Sequence, residues 1–158
     1  VLQVVREKSG WDLPAPADRA RGVALSYDVN TIVACVADVS VENGKIRVHK
    51  LTGVVDAGFF VNPNGAIAQM EGGMNMALSS ALFEETTVRD GSLTPINFGA
   101  YQFLNHAAAP EIVVELVSSG DKPFGLGEPP LGPVAPAVAN AVFALTGQRL
   151  RKLPLKLA

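Results

Sequence analysis

Two strand-like segments joined by an Asn-Gly dipeptide constrain the fold of this sequence more than any other feature. Residues Thr31–Val41 read T-I-V-A-C-V-A-D-V-S-V, a run rich in β-branched residues that becomes alternating towards its end. This pattern is typical of a strand that passes from a buried to a half-exposed setting. Asn43 and Gly44 tolerate the positive φ angles of a type I′ turn, so we expect Lys45–Val55 to return antiparallel. The sequence thus predicts a long β-hairpin.

The composition is that of a chain that can bury a hydrophobic core. Of the 158 residues, 48% are hydrophobic and 18% are charged, below the usual charged fraction of about 25%. The formal net charge of -2 argues against a nucleic-acid binder. A single cysteine permits neither an intrachain disulfide nor a multi-cysteine metal cluster. Because no apolar run reaches about 18 residues and no N-terminal signal pattern is visible, the sequence predicts neither a membrane span nor a targeting peptide.

Two helices are predicted from capping residues and apolar periodicity. Either asparagine of Asn62-Pro63-Asn64-Gly65 can cap a helix that continues to Leu82. Its apolar residues recur in steps of three and four, at Ile67, Met70, Met74, Ala77, Leu78, Ala81 and Leu82. Pro136 suits the first turn of a last helix that ends before Gly147. That helix is almost wholly apolar, with Asn140 as the polar exception, so we expect the helix to be buried on most sides.

The remaining predicted elements are shorter. Val1–Lys8 is interpreted as the end of a helix, Glu84–Thr94 as a second hairpin, and Glu111–Val117 as a strand. Gly120–Gly132 is too rich in glycine and proline for a helix or a central strand, so we expect a loop. Hairpins mixed with separated helices predict an α+β fold, in which a mixed β-sheet and a layer of helices pack together. We expect residues 1–158 to form a single domain.

The strongest local signal for chemistry is the carboxylate in G-L-G-E-P-P, residues Gly125–Pro130. Glycines let the chain approach a partner closely, and the proline after Glu128 holds that residue extended. A carboxylate with so little freedom suits a general base, since proton transfer requires hydrogen-bond reach in a defined pose. An ordinary solvated loop glutamate fits the same residues, and the local sequence leaves both interpretations open.

Gln69 precedes two adjacent glycines inside the first long predicted helix, in the order Gln69-Met70-Glu71-Gly72-Gly73. Each glycine in a helix interior costs about 1 kcal/mol relative to alanine, so something should require a bare backbone there. Close packing against a helix or strand would satisfy that requirement, and so would contact with a ligand. The residues alone leave both interpretations open.

Cys35, His49 and His106 carry little signal for chemistry. Cys35 lies inside the strongest strand without a neighbouring base or cation, so we expect a buried, unreactive thiol. The two histidines are isolated, with no second ligand at helical or hairpin spacing. We therefore assign no metal ligand to this chain.

Several motifs, taken in order, resemble one protein family. The chain contains V-A-C-V-A-D-V, V-V-D-A-G-F-F-V-N-P, A-Q-M-E-G-G, G-L-G-E-P-P and A-P-A-V-A-N-A-V-F-A-L. From about Thr31 onwards it resembles the C-terminal part of the large molybdopterin-binding subunit of the xanthine oxidase/aldehyde oxidase family of molybdenum hydroxylases. The ending T-G-Q-R-L-R-K-L-P-L, together with Asn97-Phe98 and Tyr101, is most similar to the isoquinoline 1-oxidoreductase β-subunit branch.

The resemblance implies an oxidoreductase that hydroxylates N-heterocycles or oxidises aldehydes with oxygen taken from water. In the family, the glutamate that matches Glu128 is the catalytic base that activates this oxygen, and the glutamine that matches Gln69 hydrogen-bonds the pterin cofactor. The implied cofactor is molybdopterin with molybdenum, in bacterial members usually the cytosine dinucleotide form. Electrons would leave through two [2Fe-2S] clusters on a small partner subunit, in agreement with the single cysteine here.

The same resemblance bounds what this chain does by itself. The glycine-rich cofactor loops and substrate-pocket residues that the family carries earlier in the subunit are not in this chain. We therefore expect a C-terminal fragment that is inactive alone and works with the remaining part of the large subunit and an iron–sulfur subunit. The alternative is a non-catalytic structural or assembly domain of the same ancestry. We expect a cytoplasmic location, with the periplasm as the alternative.

Overall fold

The computed structural model of the protein describes residues 1–120 and 122–157. Asp121, within the predicted Gly120–Gly132 loop, and Ala158 lie outside the described residues. The α-helices and strands of the described residues are, in chain order, α1 (Leu2–Lys8), β1 (Arg19–Asp28), β2 (Thr31–Glu42), β3 (Lys45–Asp56), α2 (Pro63–Leu82), β4 (Thr87–Arg89), β5 (Ser92–Thr94), β6 (Glu111–Val117) and α3 (Val134–Thr146). A short 3-10 helix, His106–Ala108, precedes β6.

A four-stranded mixed sheet forms the middle of the fold, with the strand order β1-β2-β3-β6. The first three strands run antiparallel in sequence order, whereas β6 lies parallel to β3. A parallel neighbour needs a long crossover, and α2 together with the small β4–β5 hairpin lies within that crossover. The predicted α+β fold with a mixed sheet is confirmed.

Both predicted hairpins follow from their turn residues. Asn43 and Gly44 have φ angles of 51° and 74°, in the left-handed region that a type I′ turn requires. Asp90 and Gly91, between β4 and β5, have φ angles of 49° and 76°. The two hairpin predictions are confirmed because each turn contains residues that reach this region at little cost.

Strand β1 is the element that the sequence analysis did not predict. It pairs antiparallel with β2 over its whole length, from Arg19 opposite Ser40 to Asp28 opposite Thr31. The connection is the dipeptide Val29-Asn30, whose residues have φ angles of 44° and 64°. A β-branched residue seldom adopts a positive φ, so the local sequence contains no recognisable turn signal there.

Alternate residues of β2 point to opposite faces of the sheet, and each face has its own core. Helices α2 and α3 cover one face and enclose the main core, into which β2 contributes the buried residues Val33, Cys35, Ala37 and Val39. Helix α1 covers part of the other face, where a smaller core consists of Val5, Ala34, Val36 and Val54. The predicted helix layer is therefore present, and α1 adds a short helix on the opposite side.

The start of α2 and the end of α3 lie where their capping residues predict. The Asn62 side chain accepts a hydrogen bond of 3.0 Å from the backbone N–H of Gly65, and Gly147 ends α3 with a φ of 72°. The expectation that α3 is buried on most sides is wrong, because only one face is enclosed. Phe143 is 39% exposed and Ala144 is exposed as well. No helix within the described ranges has the length and apolar character needed to cross a membrane.

We expect Val142→Asp to destabilise the fold severely. Val142 is fully buried on the inner face of α3, so the substitution places an unpaired carboxylate in a dry core. Its cost should exceed about 3 kcal/mol, and thermal unfolding monitored by circular dichroism measures it. Ala144→Asp, on the exposed side of the same helix, is the control and should change the free energy of unfolding by less than about 1 kcal/mol. Equal melting temperatures for the two variants would contradict this account of the core.

Candidate functional site

The loop Gly125–Gly132, here called the carboxylate loop because it carries Glu128, is tied to the turn end of the β1–β2 hairpin. The buried hydroxyl of Thr31 donates a hydrogen bond of 2.6 Å to the carbonyl oxygen of Gly125. The hydroxyl of Ser26 donates one of 3.2 Å to the carbonyl oxygen of Pro129. Two separate side chains of one hairpin therefore hold the loop on either side of Glu128.

Helix α2 lies along another side of the same loop. The Gln69 side-chain Nε2 is 3.5 Å from the carbonyl oxygen of Gly127, a long hydrogen bond. One turn further along the helix, Gly73 packs against Pro130, since an added Cβ would lie only 3.0 Å from the Cβ of that proline. The fold thus brings the segments of both predicted site residues together, although 58 positions separate Gln69 from Gly127.

Glu128 combines a fixed backbone with an exposed carboxylate. Its carbonyl oxygen accepts a hydrogen bond of 2.9 Å from the backbone N–H of Leu131, and the following residues Pro129 and Pro130 are buried. The side chain faces solvent, and within the described residues no hydrogen bond or ion pair engages its carboxylate. The arrangement leaves the carboxylate open to a proton donor while its backbone is anchored.

The double glycine of α2 has two different explanations. The packing of Gly73 on Pro130 accounts for the second glycine. An added Cβ at Gly72 would meet no atom within 4 Å, and the same holds for Gly127 in the loop. Gly72 lies three positions after Gln69, so the two share one face of α2. A strip of bare backbone therefore lies open beside the Gln69 amide.

A groove of about 410 Å³ adjoins this surface, between α2 and the segment that precedes β6. Leu131 from the carboxylate loop lines it together with Asn75 and Phe103. The Asn75 Oδ1 atom is buried and has no hydrogen-bond partner among the described residues, so it is an unpaired acceptor beside the groove. The sequence analysis missed Asn75 and Phe103, because neither belongs to a motif or has a distinctive neighbour.

Comparison with protein families identifies the domain. A family model described as "Molybdopterin cofactor-binding domain" matches residues 5–110, which is more than half of the chain. The chain belongs to this family. The matched range includes Gln69 and ends before Glu128. The family predicted from the motifs is therefore confirmed, and α2 is part of a molybdopterin cofactor-binding domain.

The relatives of this molybdopterin cofactor-binding domain include oxidoreductases. The chain is 39% identical over 163 residues to a membrane-bound aldehyde dehydrogenase (pyrroloquinoline-quinone) of Gluconacetobacter polyoxogenes, covering 99% of this chain and 21% of the relative. It is 35% identical over 161 residues to the isoquinoline 1-oxidoreductase subunit beta of Brevundimonas diminuta, with the same coverage of both chains. The chain thus spans about a fifth of the length of these curated relatives.

Solved structures agree with the fold of the molybdopterin cofactor-binding domain. The aldehyde oxidoreductase of Desulfovibrio desulfuricans matches with a TM-score of 0.68 and 28% identity, covering 78% of this chain and 14% of that chain. The quinoline 2-oxidoreductase of Pseudomonas putida 86 also has a TM-score of 0.68, with 22% identity and coverage of 78% and 17%. At that lower identity the likeness concerns the fold alone.

Of the remaining candidate residues, His106 lines the groove next to this surface, whereas Cys35 and His49 do not. Cys35 is buried in the main core of the molybdopterin cofactor-binding domain, and burial raises the pKa of its thiol to about 12. His49 Nε2 lies 2.8 Å from the Ser40 hydroxyl, and burial lowers the pKa of this histidine, with further contributions from Arg19 and Arg47. In residues 1–120 and 122–157, no group of three His, Cys, Asp or Glu side chains is placed to hold a metal ion.

We expect Cys35 of the folded protein to resist alkylation by iodoacetamide at pH 9. A free thiol with a pKa of 9.0 is half ionised there, whereas the native thiol stays protonated and shielded. Mass spectrometry of samples alkylated with and without denaturant measures the difference. Because the unfolded thiol ionises first, the free energy of unfolding should also fall as the pH rises from about 9 to about 12. Complete labelling of the native protein within minutes would contradict the buried position.

Proposed function

We propose that this chain supplies the catalytic base and one cofactor contact of a molybdenum hydroxylase, which hydroxylates N-heterocycles or oxidises aldehydes with oxygen from water. The observation that carries the proposal is the meeting of α2 with the carboxylate loop, where Gln69 Nε2 lies 3.5 Å from the Gly127 carbonyl oxygen. This contact brings the glutamine amide to the backbone of the residue that directly precedes the exposed Glu128. The names of the aldehyde dehydrogenase and isoquinoline oxidoreductase relatives support the same class of reaction.

The residues at this surface fit a flat, heteroatom-rich group such as the pterin of molybdopterin. Gly72 and Gly127 leave open space beside Gln69, which a side chain at either position would fill. Beside its bond to Gly127, the exposed Gln69 amide offers a second N–H donor and a carbonyl acceptor to such a group. Asn75, one turn beyond Gly72 on α2, adds a buried acceptor that has no partner in the described residues. We propose that this strip of α2 holds the cofactor.

The proposed mechanism assigns proton transfer to this chain. When bound, the molybdenum cofactor supplies the two-electron oxidation of the substrate. A carboxylate oxygen of Glu128 accepts the proton of the water-derived oxygen that enters the product. Because the loop backbone is tied while the side chain is exposed, the backbone of Glu128 is held in place and its carboxylate is accessible. Gln69 orients the cofactor relative to the loop through its amide.

The proposal extends to the cofactor form and the partners. The resemblance to bacterial members supports the cytosine dinucleotide form of molybdopterin and two [2Fe-2S] clusters on a small partner subunit. Each cluster needs four cysteine ligands, and this chain has only the buried Cys35. The length of the relatives supports residues 1–158 as one domain of a larger subunit that supplies further cofactor and substrate contacts, and the motif resemblance supports a C-terminal position for it. We propose a cytoplasmic location for the assembled enzyme.

We expect Glu128→Gln in the complete enzyme to abolish most turnover without loss of the cofactor. The amide keeps the shape of the side chain and removes the proton acceptor, so kcat should fall by about 10²–10⁴-fold. Steady-state kinetics and molybdenum analysis of the same samples measure the two effects. Glu7→Gln, at an exposed position on α1, is the matched control and should leave kcat unchanged. Normal turnover by a fully loaded Glu128→Gln enzyme would favour the non-catalytic structural domain instead.

A different defect is expected for Gln69→Ala. The substitution removes the proposed hydrogen bond to the pterin and leaves the carboxylate in place, so the molybdenum content should fall before the rate per loaded site does. Dialysis against a chelator followed by metal analysis measures retention of the cofactor. Glu71→Ala, an exposed residue turned about 200° away on the same helix, should retain the cofactor normally. Full retention by Gln69→Ala would remove Gln69 from the cofactor site.

A further inference from the structure

The end of β2 nearest the β1–β2 turn holds the loop that carries Glu128. Thr31, the first residue of β2, is fully buried, and its Oγ1 donates a hydrogen bond of 2.6 Å to the Gly125 carbonyl oxygen. The two residues are 94 positions apart in the chain. Loss of the hydroxyl would leave the Gly125 carbonyl oxygen without this partner and the loop without this tie.

Ser26, near the end of β1, supports the loop on the other side of Glu128. Its hydroxyl donates to the Pro129 carbonyl oxygen at 3.2 Å. An added Cβ at Gly132 would lie only 2.9 Å from the Ser26 Cβ, so the chain also packs closely there. Glu128 is thus flanked by one tied carbonyl group before it and another directly after it.

The turn itself has a strained backbone where it contacts the loop. Val29 has a φ of 44°, a conformation that β-branched residues rarely adopt. Its Cγ2 lies 3.1 Å from the position that a Cβ at Gly125 would occupy, so the valine side chain packs on bare backbone. The Tyr27 hydroxyl braces the turn with a hydrogen bond of 2.9 Å to Asn30 Oδ1. Strain that persists in a structure points to a requirement nearby, and the nearby feature is the carboxylate loop.

We infer that Thr31 is a positioning residue for Glu128, acting through the Gly125 carbonyl group to keep the carboxylate in the pose that proton transfer needs. The inference rests on the proposed function, because it takes Glu128 as the proton acceptor. The loop has glycines at positions 125, 127 and 132 and would sample many conformations without such ties. Losing the tie lowers the fraction of molecules in the productive pose, so the effect falls on kcat and not on substrate binding.

The experiment compares Thr31→Val, which keeps the side-chain shape without the donor, with Thr31→Ser, which keeps the donor. Both are made in the complete large subunit with its partner, and rates are expressed per molybdenum. We expect Thr31→Val to lower kcat by about 10- to 100-fold, with KM and molybdenum content unchanged. Amide hydrogen exchange in residues 125–128 should become about tenfold faster in the same variant. Thr31→Ser should restore both properties.

Two further variants complete the test. Thr52→Val is the matched control, because Thr52 is also a buried sheet threonine and none of the described hydrogen bonds joins it to the loop; its kcat should stay within about twofold of wild type. If Thr31→Val does not accumulate as folded protein, Ser26→Ala serves in its place by removing the bond to Pro129. We expect Ser26→Ala to lower kcat by about 3- to 10-fold and to speed exchange near Leu131.

The outcomes separate this inference from the proposed function. Wild-type kcat and exchange in Thr31→Val, or in Ser26→Ala where that variant is used, would overturn the inference while an inactive Glu128→Gln enzyme leaves the proposed function standing. A lower melting temperature with unchanged kcat would assign Thr31 a purely structural role and would overturn it as well. Normal turnover by Glu128→Gln would overturn the proposed function, and this inference with it.

Discussion

The contact between α3 and β1 at Gly22 determines how the other parts of the fold can be arranged. A side chain at this position would collide with the backbone of Ala137 and Ala141, so the helix lies directly on the strand. Asn140 Nδ2 reaches the Val23 carbonyl oxygen at 3.0 Å and fixes the helix along the sheet. Because α3 begins shortly after the carboxylate loop, its place on β1 also sets where that loop must end. The geometry around Glu128 therefore depends on a close approach made four residues before Ser26 on the same strand.

The beginning of the loop is set by the chain just beyond β3. The backbone N–H of Phe124 donates to the Ala57 carbonyl oxygen at 2.9 Å, and that of Phe59 donates to the Lys122 carbonyl oxygen at 3.1 Å. Between this bridge and α3, the loop is tied to the β1–β2 hairpin and packs against α2. Loops that carry function are usually more mobile than the helices and strands they connect. Here backbone pairing at one end and a seated helix at the other restrict a glycine-rich segment whose composition alone would leave it mobile.

The parts of the fold that were predictable are those specified by neighbouring residues. Asn43-Gly44 suits a type I′ turn and Gly147 suits a left-handed helix end, so each element could be placed without knowledge of its partners. Strand β1 escaped prediction because Val29 adopts its positive φ against its own preference. The parallel pairing of β6 with β3 was equally hidden, since α2 and the β4–β5 hairpin separate the two strands along the chain. Glu128 could be singled out from the glycines and prolines around it. Thr31 and Ser26 look like ordinary strand residues in the sequence, and only the folded structure shows that their hydroxyls bind the loop.

The glycine pair of α2 shows what the structure adds to the sequence at the site. Each glycine costs the helix about 1 kcal/mol relative to alanine, and the sequence offers the same two explanations for both. The cost at Gly73 is offset within the chain, because Pro130 lies where a side chain would have to fit. No described contact offsets the cost at Gly72, which faces open space one turn from the Gln69 amide. A bare backbone position that its own fold does not require, next to an exposed amide and a tied carboxylate loop, is what contact with a bound group would select.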